Sequence, residues 1–103
     1  MFKLEPNPTF WAKVQLSIPG QEQPVEIEVE FKHLGREGLK GYYDALGKKT
    51  SAEGLAEIVM NWRGVDAEFS RESLEKLLAN YPAAAGEFYD TFRRELLESK
   101  AKN

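Results

Sequence analysis

From residue 10 to residue 18 apolar and polar side chains alternate. Phe10, Ala12, Val14, Leu16 and Ile18 fall on one face; Trp11, Lys13, Gln15 and Ser17 fall on the other. Residues 25–31 repeat the pattern, with Val25, Ile27, Val29 and Phe31 set against Glu26, Glu28 and Glu30. Period two over this length marks half-buried strands. Pro19-Gly20 and Pro24 break the chain between them. The pattern predicts an antiparallel hairpin. Pairing Ile18 with Val25 gathers the apolar residues on one face and sets Lys13 opposite Glu30, Gln15 opposite Glu28 and Ser17 opposite Glu26. No carboxylate then faces another across the ladder. A bare hairpin is marginal in water, so the apolar face needs helices over it. Ahead of the hairpin, Pro6 and Pro8 make residues 1–9 an extended arm. It either tucks Phe2 and Leu4 onto the domain or frays.

Beyond residue 34 the period lengthens. Leu39, Tyr42, Tyr43 and Leu46 predict a helix over 36–47. Gly38 and Gly41 weaken it by about 1 kcal/mol each against alanine, which makes it the candidate mobile element. Thr50 and Glu53 have capping-box spacing and start a helix at about Ser51. Its stripe Leu55, Ile58, Val59, Trp62 carries it to Trp62, and Gly64, free to take positive φ, stops it. After a loop over 63–69, Ser70 caps a further helix, Glu72 meets its dipole and Phe69 staples onto Leu74. Leu74, Leu77, Leu78 and Tyr81 form its stripe, and Pro82 ends it. A last helix over roughly 83–100 points Ala85, Phe88, Tyr89, Phe92, Leu96 and Leu97 inward and Glu87, Asp90, Arg94, Glu95 and Glu98 outward. A polar tail, 100–103, follows. The fold class is α+β: an N-terminal antiparallel β-hairpin packed against a C-terminal bundle of three to four short helices. One domain is expected over 1–103, with arm and hairpin in 1–34 and the helical part in 35–103.

Composition narrows the function. At 42% apolar and 30% charged residues the chain is not globally disordered. Its 103 residues bury roughly 60–70% of the unfolded surface, a thin core. The net charge of −3 is a poor match to nucleic acid. Tyr81-Pro82 resembles a helix–turn–helix joint, but Arg93 and Arg94 against Glu87, Asp90, Glu95 and Glu98 leave residues 83–99 at −2, the wrong sign for a recognition helix. The absence of cysteine removes disulfides and thiolate metal sites and suits a reducing compartment. No apolar run reaches the roughly 20 residues of a membrane span, and the first residues lack the apolar core of a signal peptide. An intracellular soluble protein is expected.

Candidate chemistry is sparse. The row Glu26, Glu28, Glu30 lacks the histidine or cysteine that would complete a ligand set and reads as a solvated strand face. His33, the single histidine, has no nucleophile in an adjacent motif. Gly47-Lys48-Lys49-Thr50 lacks the spacing of a phosphate loop. No catalytic residue, metal ligand or cofactor site is assigned. Tryptophan, tyrosine and arginine are favoured at interfaces, which makes Trp11, Tyr42, Tyr43 and Arg63 the candidate partner-binding residues. Trp62 is assigned to the core.

Several separated features occur in a distinctive order. Pro8-Thr9-Phe10-Trp11-Ala12-Lys13-Val14 leads through Ile18-Pro19-Gly20 to Val29-Glu30-Phe31-Lys32-His33-Leu34. Then come Trp62-Arg63-Gly64-Val65-Asp66, Phe69-Ser70 with Glu72 and Leu74, Tyr81-Pro82 and a closing Lys102-Asn103. Over nearly its whole length this pattern resembles a family of small bacteriophage tail assembly chaperones. The resemblance implies a non-enzymatic protein of a phage or prophage, acting in the host bacterial cytoplasm. It would bind the tape-measure protein, with the tail tube protein as a second candidate partner, while the tail is built, and be absent from the finished particle. Nucleic acid and membrane are not expected partners; a weak homo-oligomer is compatible. The alternatives are a minor structural component of the tail or head–tail junction, or a small DNA-binding regulator.

Overall fold

A computed structural model describes residues 1–98. Strands β1 (Thr9–Leu16) and β2 (Val25–Lys32) pair antiparallel, as the alternation predicts. Their register differs by two residues from the expected one: Leu16 lies opposite Val25, Lys13 opposite Glu28, Gln15 opposite Glu26 and Trp11 opposite Glu30. A shift of two preserves the faces, so Ala12, Val14, Leu16, Ile27, Val29 and Phe31 are still buried together. The shorter pairing leaves no donor stranded where the ladder stops: the Ser17 N–H, which the expected register assigns to the strand, donates to the Glu87 carboxylate at 3.0 and 3.1 Å. Glu87, expected on an outward face, thereby ties the end of β1 to the last helix.

Helix α1 (Arg36–Leu46) forms where expected and buries Leu39 and Tyr42. Helix α2 (Ser51–Ile58) starts on the expected capping box: Glu53 N–H donates to Thr50 Oγ1 at 3.1 Å, and Thr50 N–H donates to Glu53 Oε1 at 2.8 Å. It ends four residues before Trp62. Residues Val59–Arg63 are a third strand, β3, antiparallel to β2, in a sheet of order β1-β2-β3. The expected helix to Trp62 is therefore wrong, and a bulge explains the error. Val59 pairs with Phe31 and Asn61 with Glu30, which leaves Met60 as an extra residue. That insertion makes Val59 and Trp62, three apart, point to the same face. In the sequence this imitates helical spacing. Gly64 does take positive φ, at 87°, but it turns the chain out of a strand rather than ending a helix.

Helix α3 (Arg71–Asn80) is capped by Ser70, with Ser73 completing a capping box. Phe69 ahead of it packs edge-on to Trp62, ring centroids 5.2 Å apart. Helix α4 (Ala84–Leu97) buries Ala84, Phe88, Thr91 and Phe92. Leu97, expected inward, is exposed at the last residue of the helix. The polar tail and the last turn expected beyond residue 98 lie outside the described residues.

The helices cover one face of the sheet. Phe31 sits at the centre of the core, with ring centroids 5.7 Å from Phe10, 5.5 Å from Phe92 and 6.4 Å from Phe88. The opposite face, with Lys13, Gln15, Glu26 and Arg63, is open to solvent. Gly54 lets α2 approach its neighbours: a Cβ there would lie 2.4 Å from Tyr89 Oη and 2.5 Å from Leu46 Cδ1.

Candidate functional site

β3 presents Trp62 and Arg63 to opposite sides of the sheet, as successive strand residues must. Trp62 enters the core; Arg63 reaches back over β2, and its guanidinium carbon lies 3.8 Å from the centre of the Trp11 ring. Trp11 is half-buried on the otherwise polar face. Such a cation–π contact at an exposed site contributes about 0.5–1 kcal/mol. Neighbouring carboxylates are engaged locally. Glu30 accepts from Thr9 Oγ1 at 2.7 Å, and Glu26 accepts from Gln15 Nε2 at 2.7 Å with Lys13 Nζ 3.9 Å away. Glu26 and Glu30 of the acidic row thus pair with side chains across the strands, and among the described residues no group of three or more His, Cys, Asp or Glu is placed to hold a metal ion.

Tyr42 and Tyr43 lie on the helical side, so the four candidate residues fall in two places separated by the sheet. Tyr42 is buried and touches Phe92 edge-on. Its hydroxyl donates to the Gly54 carbonyl at 2.7 Å and lies 3.4 Å from Tyr89 Oη, which binds α1 to α2 and α4. Burial, and next the Tyr89 hydrogen bond, push the Tyr42 hydroxyl far above its ordinary pKa, so it stays a neutral donor. Tyr43 is exposed and packs edge-on to Tyr42 at 5.4 Å. Burial raises its pKa as well, with Arg93 opposing. His33 is half-buried, edge-on to Phe10, and its backbone N–H donates to the Pro8 carbonyl at 2.8 Å.

Sequence reasoning missed a third surface. At the hairpin tip, the apolar residues Leu16, Ile18, Val25 and Ile27 form one wall of a groove of about 400 Å³, and Leu77 and Tyr81 at the α3 end form the other. Asp66 stands at its rim. The available signal was the continuation of the apolar alternation to Ile18, beyond the last residue of β1.

The described residues thus present an aromatic–guanidinium pair on an open sheet face and an apolar groove at the hairpin tip. The family model for phage tail assembly chaperones matches residues 1–103, and the chain belongs to that family, whose members are not enzymes. Neither a curated protein nor a solved structure matches the chain.

Proposed function

We propose that this chaperone binds the tape-measure protein of its own phage or prophage in the bacterial cytoplasm and holds it soluble until tail tube subunits assemble around it. The observation that carries the reading is Trp11 under the Arg63 guanidinium on the sheet face that the helices leave open. Trp and Arg dominate interface hot spots. An amphipathic helix of the client lays an apolar stripe over Trp11, and its carboxylates meet Arg63 and Lys13. Tyr43 offers a second contact on the far side of the sheet, with Tyr42 behind it as its support.

The test is co-expression with the cognate tape-measure protein, followed by measured affinity. Trp11→Ala and Arg63→Ala should each weaken binding by about 1–3 kcal/mol while the variants stay folded. A client that aggregates equally with and without the protein would refute the reading. Stoichiometric recovery in mature particles would replace it with a structural role in the tail.

A further inference from the structure

The apolar groove continues beyond the residues that form its two walls. It shares Ile18 and Tyr81 with a second hollow of about 310 Å³, bounded by Pro19, Gly20, Pro82 and Ala83. It also shares Val65 and Asp66 with a third, of about 500 Å³, that runs along Ala67 and Glu68. The three make one furrow on the helical side of the sheet. Breaks in the chain build it. Pro19-Gly20 turns the hairpin, with Gly20 at a φ of 84° and the Gln21 N–H donating to the Ile18 carbonyl at 3.0 Å. Gly64, at a φ of 87°, carries Val65 and Asp66 out of β3 to the furrow. Pro82 parts α3 from α4 and leaves Tyr81 at the joint.

The chemistry of the lining selects an occupant. Val25 and Tyr81, on the two walls, are 42% and 37% exposed. Contiguous apolar surface left open in this way marks a contact site. Charge enters the furrow only at Asp66 and Glu68, and no lysine or arginine lines it. Among the described residues neither of these two carboxylates has a hydrogen bond or an ion pair. An apolar trough whose charged part is purely acidic is complementary to an apolar segment that carries a cation, and a carboxylate on the occupant would meet only like charge. The arm of the same chain is not that occupant. Phe2 and Leu4 are 90% and 93% exposed, and the arm joins β1 at Thr9, the end of the strand away from the Pro19-Gly20 turn.

We propose that this furrow docks a short segment of a partner polypeptide, apolar along its length and carrying lysine or arginine where it passes Asp66 and Glu68. The apolar part lies between the hairpin tip and the α3–α4 joint. Trp11 and Arg63 stand on the opposite face of the sheet, so both surfaces can be filled at once and one copy can hold two polypeptides together. The furrow needs neither of those residues, so this inference stands or falls separately from the proposed function.

The experiment is a titration of the isotope-labelled full chain, followed by its backbone amide resonances, with two synthetic peptides of about ten residues. Both alternate leucine or valine with serine; one closes on two lysines and the other on two glutamates. The lysine peptide should move the resonances of Ile18, Val25, Val65, Asp66 and Tyr81 and leave those of Trp11 and Arg63 in place. It should bind about tenfold more tightly than the glutamate peptide. The double variant Asp66→Asn/Glu68→Gln, altered only at exposed positions, should erase that preference, and Tyr81→Ser should weaken both peptides about tenfold. If Tyr81→Ser unfolds, Val25→Ser takes its place. Absence of binding up to millimolar peptide, equal affinity for the two peptides, shifts centred on Trp11, or a preference that survives in the double variant would each overturn the inference. So would furrow resonances that move on simple dilution of the protein, which would show a second copy as the occupant.

Discussion

Truncating Trp62 should remove a large share of this domain's stability. The side chain is 5% exposed, packs edge-on to Phe69, and donates its indole N–H to the Ala67 carbonyl at 2.8 Å. Trp62→Ala takes roughly 200 Å² of buried surface away, which at about 25 cal/mol per Å² is about 5 kcal/mol, an upper figure because the unfolded chain already hides part of that area. Measured truncations of buried aromatics give about 3–5 kcal/mol. In a domain of this size each kcal/mol moves the melting temperature by about 4–8 °C, so a fall on the order of 20 °C is expected. Trp62→Phe separates packing from hydrogen bonding. The ring contact with Phe69 largely persists and the N–H is lost. Ala67 is exposed, so water can satisfy its carbonyl, and the cost should be about 1–2 kcal/mol. Urea denaturation followed by far-ultraviolet circular dichroism measures both. A Trp62→Ala variant melting within about 3 °C of wild type would refute the core assignment. Equal losses from the two variants would show that the hydrogen bond, not burial, carries the effect.

Other expectations follow from the same geometry. Gly64→Ala should cost about 1–2 kcal/mol through backbone strain alone, since φ is 87° and the nearest atom to an added Cβ, Ile27 Cα, is 3.7 Å away; Gly64→Asn should recover part of it in the same melts. Tyr42→Phe should lose about 1 kcal/mol with the bond to Gly54, and Tyr42→Ala about 3–5 kcal/mol, so a binding defect in the latter has to be read against its stability. The Thr50 backbone N–H, and next its hydroxyl, hold the Glu53 carboxyl below its ordinary value of 4.5. Its contribution is therefore fully present above that value and is lost as pH falls through the lower folded value. Glu53→Gln, which keeps the capping-box geometry without the charge, should flatten that part of the acid-side stability profile; an unchanged profile would remove Glu53 from the account.

Local interactions made much of this molecule legible in the sequence. The faces of β1 and β2 follow from period-two alternation, and the starts of α2 and α3 from Thr50 and Ser70, because a strand face and a helix cap depend on residues within a few positions. The aromatic interior of α4 follows from its spacing for the same reason. The candidate residues were legible only as types: nothing local could place Arg63 over Trp11, which required β3 to dock beside β2, or bury Tyr42, which required α2 to come close at Gly54. Tertiary competition decided the rest. The hairpin register lies two residues from the expected one, with the Ser17 N–H satisfied by Glu87 outside the ladder, a change that leaves every face intact and is therefore invisible to alternation. The free edge of β2 recruits Val59–Arg63 into the sheet, and the bulge at Met60 conceals that choice behind helix-like spacing. The sequence by itself determined the faces of β1 and β2 and the starts of α2 and α3; only the packed molecule buried Tyr42, left Leu97 exposed, and decided which backbone groups would pair and which apolar surface would remain uncovered, because hydrogen-bond partners and groove walls come from segments far apart in the chain.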